Sequence, residues 1–114
     1  AMWKILQQKK PDDYVIATGK QYSVKQFVSI VSQKLGFKIL WRGKGLNEKG
    51  IDSKTKKVIV ECDKKYFRPL DVNTLLGSAL KARKQLGWKP KINIEKLVDD
   101  MVAEEKASLE KYVK

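Results

Sequence analysis

The chain has 114 residues, of which 42% are hydrophobic and 33% charged, and it carries a net charge of +12. This composition argues against disorder, and the length suffices to bury a core without disulfides or metals. We therefore expect a single domain over residues 1–114. Cys62 is the only cysteine, which excludes an intramolecular disulfide and favours a reducing compartment such as the cytoplasm.

Neither a membrane span nor a leader peptide is recognisable, because no apolar run approaches the roughly 18 residues that cross a bilayer. We therefore expect a soluble, untargeted protein. The first residues, Ala1 to Leu6, have helical spacing but neither a cap nor an initiating Met. We expect that they were cut from a longer chain.

The positive charge invites a comparison with nucleic-acid-binding proteins, in which clustered cations release phosphate counterions. The cations here are dispersed, with no run longer than two, and only three of the 25 are Arg. Base recognition favours Arg, because its planar fork pairs bidentately with guanine. The sequence therefore disfavours a nucleic-acid partner, and a basic nucleic-acid-binding module is kept as an alternative.

The first third of the chain predicts a helix, a strand and a second helix. Pro11 ends the first helix because proline cannot continue one. Residues 14–18 are almost all apolar and often β-branched, which predicts a strand buried on both faces. Ser23 and Gln26 form a capping box, which predicts a helix that begins there and ends at Gly36.

Two further strands are predicted, with a loop between them. Residues 37–41 alternate in hydrophobicity and predict one strand, and residues 57–62 predict another that is antiparallel to it. The three glycines between positions 42 and 50 predict a mobile loop. Cys62 falls on the same side of its strand as Val58, which predicts a small buried side chain rather than a reactive thiol.

The last third is mainly helical in pattern. Residues 73–77 predict a short strand, Ser78 is expected to cap the next helix, and Gly87 is expected to end it. Asn93 is expected to cap the last helix. The inner faces of these two helices are predicted to comprise Ala79, Ala82 and Leu86 in the first, and Ile94, Leu97, Val98, Met101, Val102, Leu109 and Tyr112 in the second. Together the elements predict a small α/β fold of the mixed α+β type.

The sequence contains no His, the side chain that most often serves in acid–base catalysis at neutral pH. The absence of His also excludes Ser-His and Cys-His nucleophilic arrangements. The glycine-rich segment 42–50 superficially resembles a phosphate-binding loop. Such a loop opens directly into a helix, whose amide groups and dipole converge on the anion. Turn residues follow here instead, so we expect only a weak anion contact from Lys44.

One segment, residues 66–72, combines groups that could recognise a nucleotide. Pro69 biases Arg68 to an extended conformation, so that its guanidinium projects from a fixed backbone and can bind a diphosphate bidentately. Asp71 can only accept hydrogen bonds, which suits sugar hydroxyls or a base N–H. Taken alone, the two residues favour a structural ion pair over a ligand site.

The same segment carries a resemblance to a known family. Residues 68–72 (Arg-Pro-Leu-Asp-Val) and 86–90 (Leu-Gly-Trp-Lys-Pro) resemble the carboxy-terminal part of the extended short-chain dehydrogenase/reductase enzymes that act on nucleotide sugars. Other segments, spread along essentially the whole chain, are more closely similar to the GDP-mannose 4,6-dehydratase family. They are residues 11–19, 41–45, 48–52 and 66–69.

This resemblance implies an NADP-dependent enzyme that oxidises a hexose at C4, eliminates water across C5 and C6, and returns the hydride to C6. The family carries its cofactor and catalytic residues in an amino-terminal Rossmann domain, which we expect to be absent from this chain. The family's Arg-Pro-x-Glu-Val motif matches Arg68 and Asp71, which implies a diphosphate ligand and a nucleoside ligand. Asp in place of Glu shortens the reach by one methylene, and Leu70 stands where Thr is more usual.

We therefore expect the substrate-binding lobe of a GDP-mannose 4,6-dehydratase, inactive alone and homo-oligomeric in the intact enzyme. GDP-mannose is expected to contact Arg68, Asp71 and Lys44, and no residue is assigned to catalysis, cofactor or metal. Another nucleotide-sugar dehydratase or epimerase is the alternative. An absent domain also predicts an exposed apolar surface and self-association. This surface is expected to comprise Met2, Trp3, Leu6 and the neighbourhood of Tyr66 and Phe67.

Overall fold

The computed structural model describes residues 1–113, and its backbone divides into two units. The first comprises residues 1–22 and 72–94, and the second comprises residues 23–71 and those from Glu95 onward. Their elements are α1 (Met2–Leu6), α2 (Val24–Lys34), β1 (Ile39–Arg42), β2 (Lys49–Asp52), β3 (Val58–Glu61), α3 (Leu80–Leu86) and α4 (Ile94–Tyr112). This is the mixed α+β class expected from the sequence. The expectation of one domain stays a prediction.

The first unit begins with α1, which buries none of its residues. The prediction of a strand over residues 14–18 is wrong, because this segment pairs with no other strand and its apolar side chains are at least partly exposed. The predicted strand over residues 73–77 is also wrong. The two segments nevertheless lie close together, since a Cβ on Gly77 would lie 2.9 Å from the Cβ of Ala17. Apolar segments that pack without a backbone ladder share the composition of strands, which explains both errors.

Helix α3 buries Ala82 and Leu86, as predicted. It ends at Gly87, also as predicted, where the backbone is left-handed with a φ of 60°. The predicted cap is wrong. Ala79 occupies the cap position without a side-chain hydrogen bond, and Ser78 lies one residue too early.

In the second unit, helix α2 begins as the capping box predicted. The backbone N–H of Gln26 donates to Oγ of Ser23 at 3.1 Å, and the N–H of Ser23 donates to Oε1 of Gln26 at 2.7 Å. The chain leaves the helix at Gly36, whose φ is 86°. Beyond it the N–H of Phe37 donates back to the carbonyl of Ser32 at 3.0 Å. Local hydrogen bonds therefore fix both ends of this helix.

The sheet is antiparallel, with the strand order β1-β2-β3. Strands β1 and β3 confirm the two predicted strands with small shifts in their bounds, but β2 lies between them and pairs with both. Because both pairings are antiparallel, β1 and β3 run parallel to each other, so the prediction that these two strands are antiparallel is wrong, as is the prediction that the loop extends to Gly50. Gly50 is buried, and a Cβ there would lie 3.2 Å from the ring of Trp41. A glycine needed for close packing thus resembles a loop residue in the sequence.

Two burial predictions in the second unit are wrong. Cys62 is exposed rather than buried, and Val58 on the same side of β3 is 47% exposed. Helix α4 buries only Val98 of its predicted stripe, while Tyr112 near its end is 85% exposed. Within the described residues, no helix is both long enough and apolar enough to cross a membrane.

Candidate functional site

The second unit holds Arg68 at the end of a short, hydrogen-bonded stretch of backbone. A single 3₁₀ turn over Lys64–Tyr66 begins at Asp63, whose carboxylate accepts the N–H of Lys65 at 2.9 Å. The N–H of Phe67 then donates to the carbonyl of Lys64 at 3.3 Å. The chain that leads into Arg68 is therefore fixed locally.

Arg68 and Asp71 occupy the two ends of one β-turn. The N–H of Asp71 donates to the carbonyl of Arg68 at 3.4 Å, and Pro69 and Leu70 take the central positions. Proline suits the first central position because its ring fixes φ near the value that the turn requires. The ends of such a turn lie within about 7 Å of each other, so the structure brings together the two residues that the sequence singled out.

The guanidinium of Arg68 is exposed, and among residues 1–113 no hydrogen bond or ion pair holds it. The structure therefore does not support a structural ion pair at Arg68, which the two residues alone had favoured. Its donors point to water and are available to a ligand. Two exposed aromatic rings precede it in the chain, Tyr66 at 72% and Phe67 at 53% exposure. The ammonium of Lys65 lies over one face of the Tyr66 ring, 5.6 Å from its centre, so the ring of Phe67 and the other face of Tyr66 are the surfaces on which a nucleotide base can stack.

Lys44 lies in the same unit, in the connection between β1 and β2. The connection contains a single 3₁₀ turn over Gly45–Asn47, in which the N–H of Asn47 donates to the carbonyl of Lys44 at 3.1 Å. Strand β2 follows this turn directly, so the segment opens into no helix and is not a phosphate-binding loop. Lys44 and Arg68 lie on separate turns of this unit, and both side chains are donor-only cations that cannot hydrogen-bond each other.

One cluster near this loop was missed from the sequence. The ammonium of Lys25 lies 2.6 Å from Oε1 of Glu48 and 5.1 Å from the centre of the Trp41 ring. The three residues come from α2, from the end of the loop and from β1, so no periodic pattern could have linked them. The cluster ties the loop that carries Lys44 to the start of α2.

The described residues do not fit the cofactor that the resemblance implies. A dinucleotide binds where a strand of a parallel sheet turns through glycines into a helix. Here every pair of neighbouring strands is antiparallel, and none of the strands leads through a glycine turn into an α-helix. The described residues also contain no group of three or more acidic, Cys or His side chains that could hold a metal ion.

The chain is similar to a known family far beyond this turn. The family model described as GDP-mannose 4,6 dehydratase matches residues 1–101. The chain belongs to this family. The resemblance read from short segments is therefore confirmed, and Arg68 and Asp71 both lie inside the matched range.

Several curated relatives carry the family's name. GDP-mannose 4,6 dehydratase 2 of Caenorhabditis elegans is 49% identical over 96% of this chain. The GDP-mannose 4,6 dehydratases of Dictyostelium discoideum and Homo sapiens are 47% and 45% identical over 92% and 90% of it. The aligned parts amount to 28%, 30% and 27% of these three proteins. The chain thus spans less than a third of the length of the relatives it matches.

Proposed function

We propose that this chain supplies the nucleotide-binding surface of a GDP-mannose 4,6-dehydratase. One observation carries the proposal: in a member of that family, a β-turn holds Arg68, whose guanidinium is unpartnered, at one end and Asp71 at the other. The names of the relatives supply the ligand, GDP-mannose.

The two side chains of the turn have different tasks in this proposal. Arg68 donates two parallel hydrogen bonds to the diphosphate, which are charge-assisted and therefore stronger than neutral ones. Asp71 accepts hydrogen bonds from the ribose hydroxyls or from a base N–H. Lys44 adds a weaker point-charge contact with the anion.

These residues would hold the end of the substrate that does not react. Binding energy from such a remote part can position the hexose for chemistry elsewhere in the enzyme. The proposed reaction converts GDP-mannose to GDP-4-keto-6-deoxymannose with loss of water, which makes the enzyme a lyase. We assign NADP and the hydride transfer to parts of the enzyme other than residues 1–113, because these residues do not fit a dinucleotide.

The proposal extends to the setting of the enzyme. The exposed thiol of Cys62 suits a reducing compartment, which supports the cytoplasm. Exposed apolar side chains on α1 and α4 support a homo-oligomer of the intact enzyme.

The decisive variant is Arg68→Ala in the full-length enzyme that carries this chain. We expect its affinity for GDP, measured by calorimetry, to fall by about 10- to 100-fold, as loss of a bidentate charge-assisted contact requires. Arg42→Ala is the matched control, because it removes an exposed guanidinium from the same unit. Its affinity should stay within about twofold of the parent.

An unchanged affinity of Arg68→Ala for GDP would contradict the assignment of Arg68 to the diphosphate. A product assay with GDP-mannose and with UDP-sugars separates the proposal from its alternative, another nucleotide-sugar dehydratase or epimerase. Turnover of a UDP-sugar in preference to GDP-mannose would favour the alternative.

A further inference from the structure

A surface cavity of about 270 Å³ lies in the first unit, which does not contain Arg68. Its wall is formed by residues 17–19, residues 76–80 and Arg83. Pockets for drug-sized ligands measure about 300–1,000 Å³. This cavity is therefore suited to a small ion or a fragment rather than to a whole nucleotide sugar.

Small residues keep the cavity open. Ala17, Gly19, Gly77 and Ala79 all line it. At Gly77 the backbone approaches the facing segment so closely that an added Cβ would lie 2.9 Å from the Cβ of Ala17. No larger residue fits at this position without a shift of the backbone, so the close approach itself shapes the cavity.

The polar side chains among the lining residues, those of Thr18, Ser78 and Arg83, can all donate hydrogen bonds, and none of them is a carboxylate. Arg83 lines it, and no hydrogen bond or ion pair among residues 1–113 holds the guanidinium of this residue. The hydroxyl of Ser78 also lacks a hydrogen bond among these residues. The hydroxyl of Thr18 lies 3.3 Å from both the N–H and the carbonyl of Lys20 and is thus held against its own turn. An unpartnered cationic fork and a free hydroxyl on residues that line one cavity are together complementary to an oxyanion.

We infer that this cavity binds a phosphate group, held by the guanidinium of Arg83 and the hydroxyl of Ser78. The fork of Arg83 matches two phosphate oxygens, and Ser78 donates to a third. The net charge of +12 raises the local concentration of anions, and the donors select where they bind. The inference does not depend on the role proposed for Arg68.

The test is a titration of the ¹⁵N-labelled chain with inorganic phosphate at constant ionic strength, followed by NMR. We expect saturable shifts of the amides of Gly19, Gly77 and Ser78 and of Nε of Arg83. The expected Kd is about 1–10 mM, as suits a small ion that remains partly hydrated. A parallel titration with phenyl phosphate shows whether the natural ligand is a phosphate ester or free phosphate. Tighter binding of phenyl phosphate than of inorganic phosphate indicates an ester, and equal binding indicates the free ion.

Two matched variants distinguish a site from general attraction. Arg83→Gln should weaken phosphate binding at least about tenfold, whereas Lys84→Gln, the same loss of charge one residue later on α3, should change it by less than about twofold. Ser78→Ala keeps the charge and should weaken binding about threefold. Equal effects of Arg83→Gln and Lys84→Gln would overturn the inference. Shifts that spread over the lysines without saturation would overturn it as well.

Discussion

A single carboxylate, that of Asp52, organises the loop between β2 and β3. Its Oδ1 accepts the N–H of Lys54 at 3.0 Å, and its Oδ2 accepts the hydroxyl of Thr55 at 2.7 Å. Both hydrogen bonds favour the charged form, that of Thr55 most, and they hold the pKa of Asp52 below its usual range. The loop should therefore be sensitive to acid.

Asp52→Asn tests this link between pH and stability. Asparagine keeps an oxygen for Lys54 but offers no acceptor to Thr55. Because the folded pKa is lowered, the stabilisation by Asp52 is complete above the unfolded pKa of about 3.9, and it is lost as the pH falls through the folded pKa. We expect the variant to have a lower Tm than the parent at neutral pH and the two Tm values to converge below about pH 4.

Glu110→Gln is the control for this pH series, since it removes the same charge from an exposed position on α4. Its Tm should follow that of the parent at every pH. If the difference in Tm between the parent and Asp52→Asn stayed constant down to strongly acidic pH, the shape of the side chain rather than its charge would account for its effect on stability.

The candidate site was predictable from residue chemistry only in part. Pro69 between a cation and a carboxylate pointed to Arg68 and Asp71, and the structure places both on one turn. The sequence could not decide between an ion pair and a ligand site, because that choice depends on which partner each side chain meets. The unpartnered guanidinium supplied what the sequence lacked.

At the scale of elements, the features that were predicted correctly are those fixed by neighbours in the chain. The capping box at Ser23 and the left-handed Gly36 define α2 through bonds that span only a few residues. Strand β2 escaped detection because its pairing partners lie elsewhere in the sequence and its buried Gly50 carries no apolar side chain. The exposure of Cys62 likewise depends on the absence of a covering element, which no local pattern reveals.

Two glycines with nearly the same positive φ give a matched test of the loop that carries Lys44. Gly36 has a φ of 86° and no atom within 4 Å of an added Cβ, whereas Gly43 has a φ of 88° and an added Cβ would lie 2.5 Å from the carbonyl oxygen of Asn47. Gly36→Ala should cost about 1–2 kcal/mol for left-handed backbone alone. Gly43→Ala should cost at least about 1 kcal/mol more, because a backbone carbonyl cannot rotate away.

Urea unfolding of the two variants measures this difference, provided that the slope with denaturant is unchanged. Equal losses of unfolding free energy would mean that the loop yields around Gly43. In that case the backbone around Lys44 would be soft, and its anion contact would be less defined than that of Arg68.

At the scale of the whole chain, exposed apolar surface and high charge act against each other. Met2, Trp3 and Leu6 of α1 are 82%, 70% and 80% exposed, as the sequence predicted. Three large apolar side chains on a helix of five residues favour association with another apolar surface. The net charge of +12 opposes association between copies of the chain.

Salt should shift this balance towards association. The screening length falls from about 30 Å at about 0.01 M salt to about 8 Å at about 0.15 M, which weakens the repulsion but leaves apolar burial in place. We expect sedimentation velocity to show a mass that rises with protein concentration, and more steeply at the higher salt. Replacing Met2 and Leu6 together by Gln should suppress the rise, while Val24→Gln, which changes the first residue of α2, itself 76% exposed, should not. Association that weakens on adding salt would instead identify ion pairs between copies as its cause.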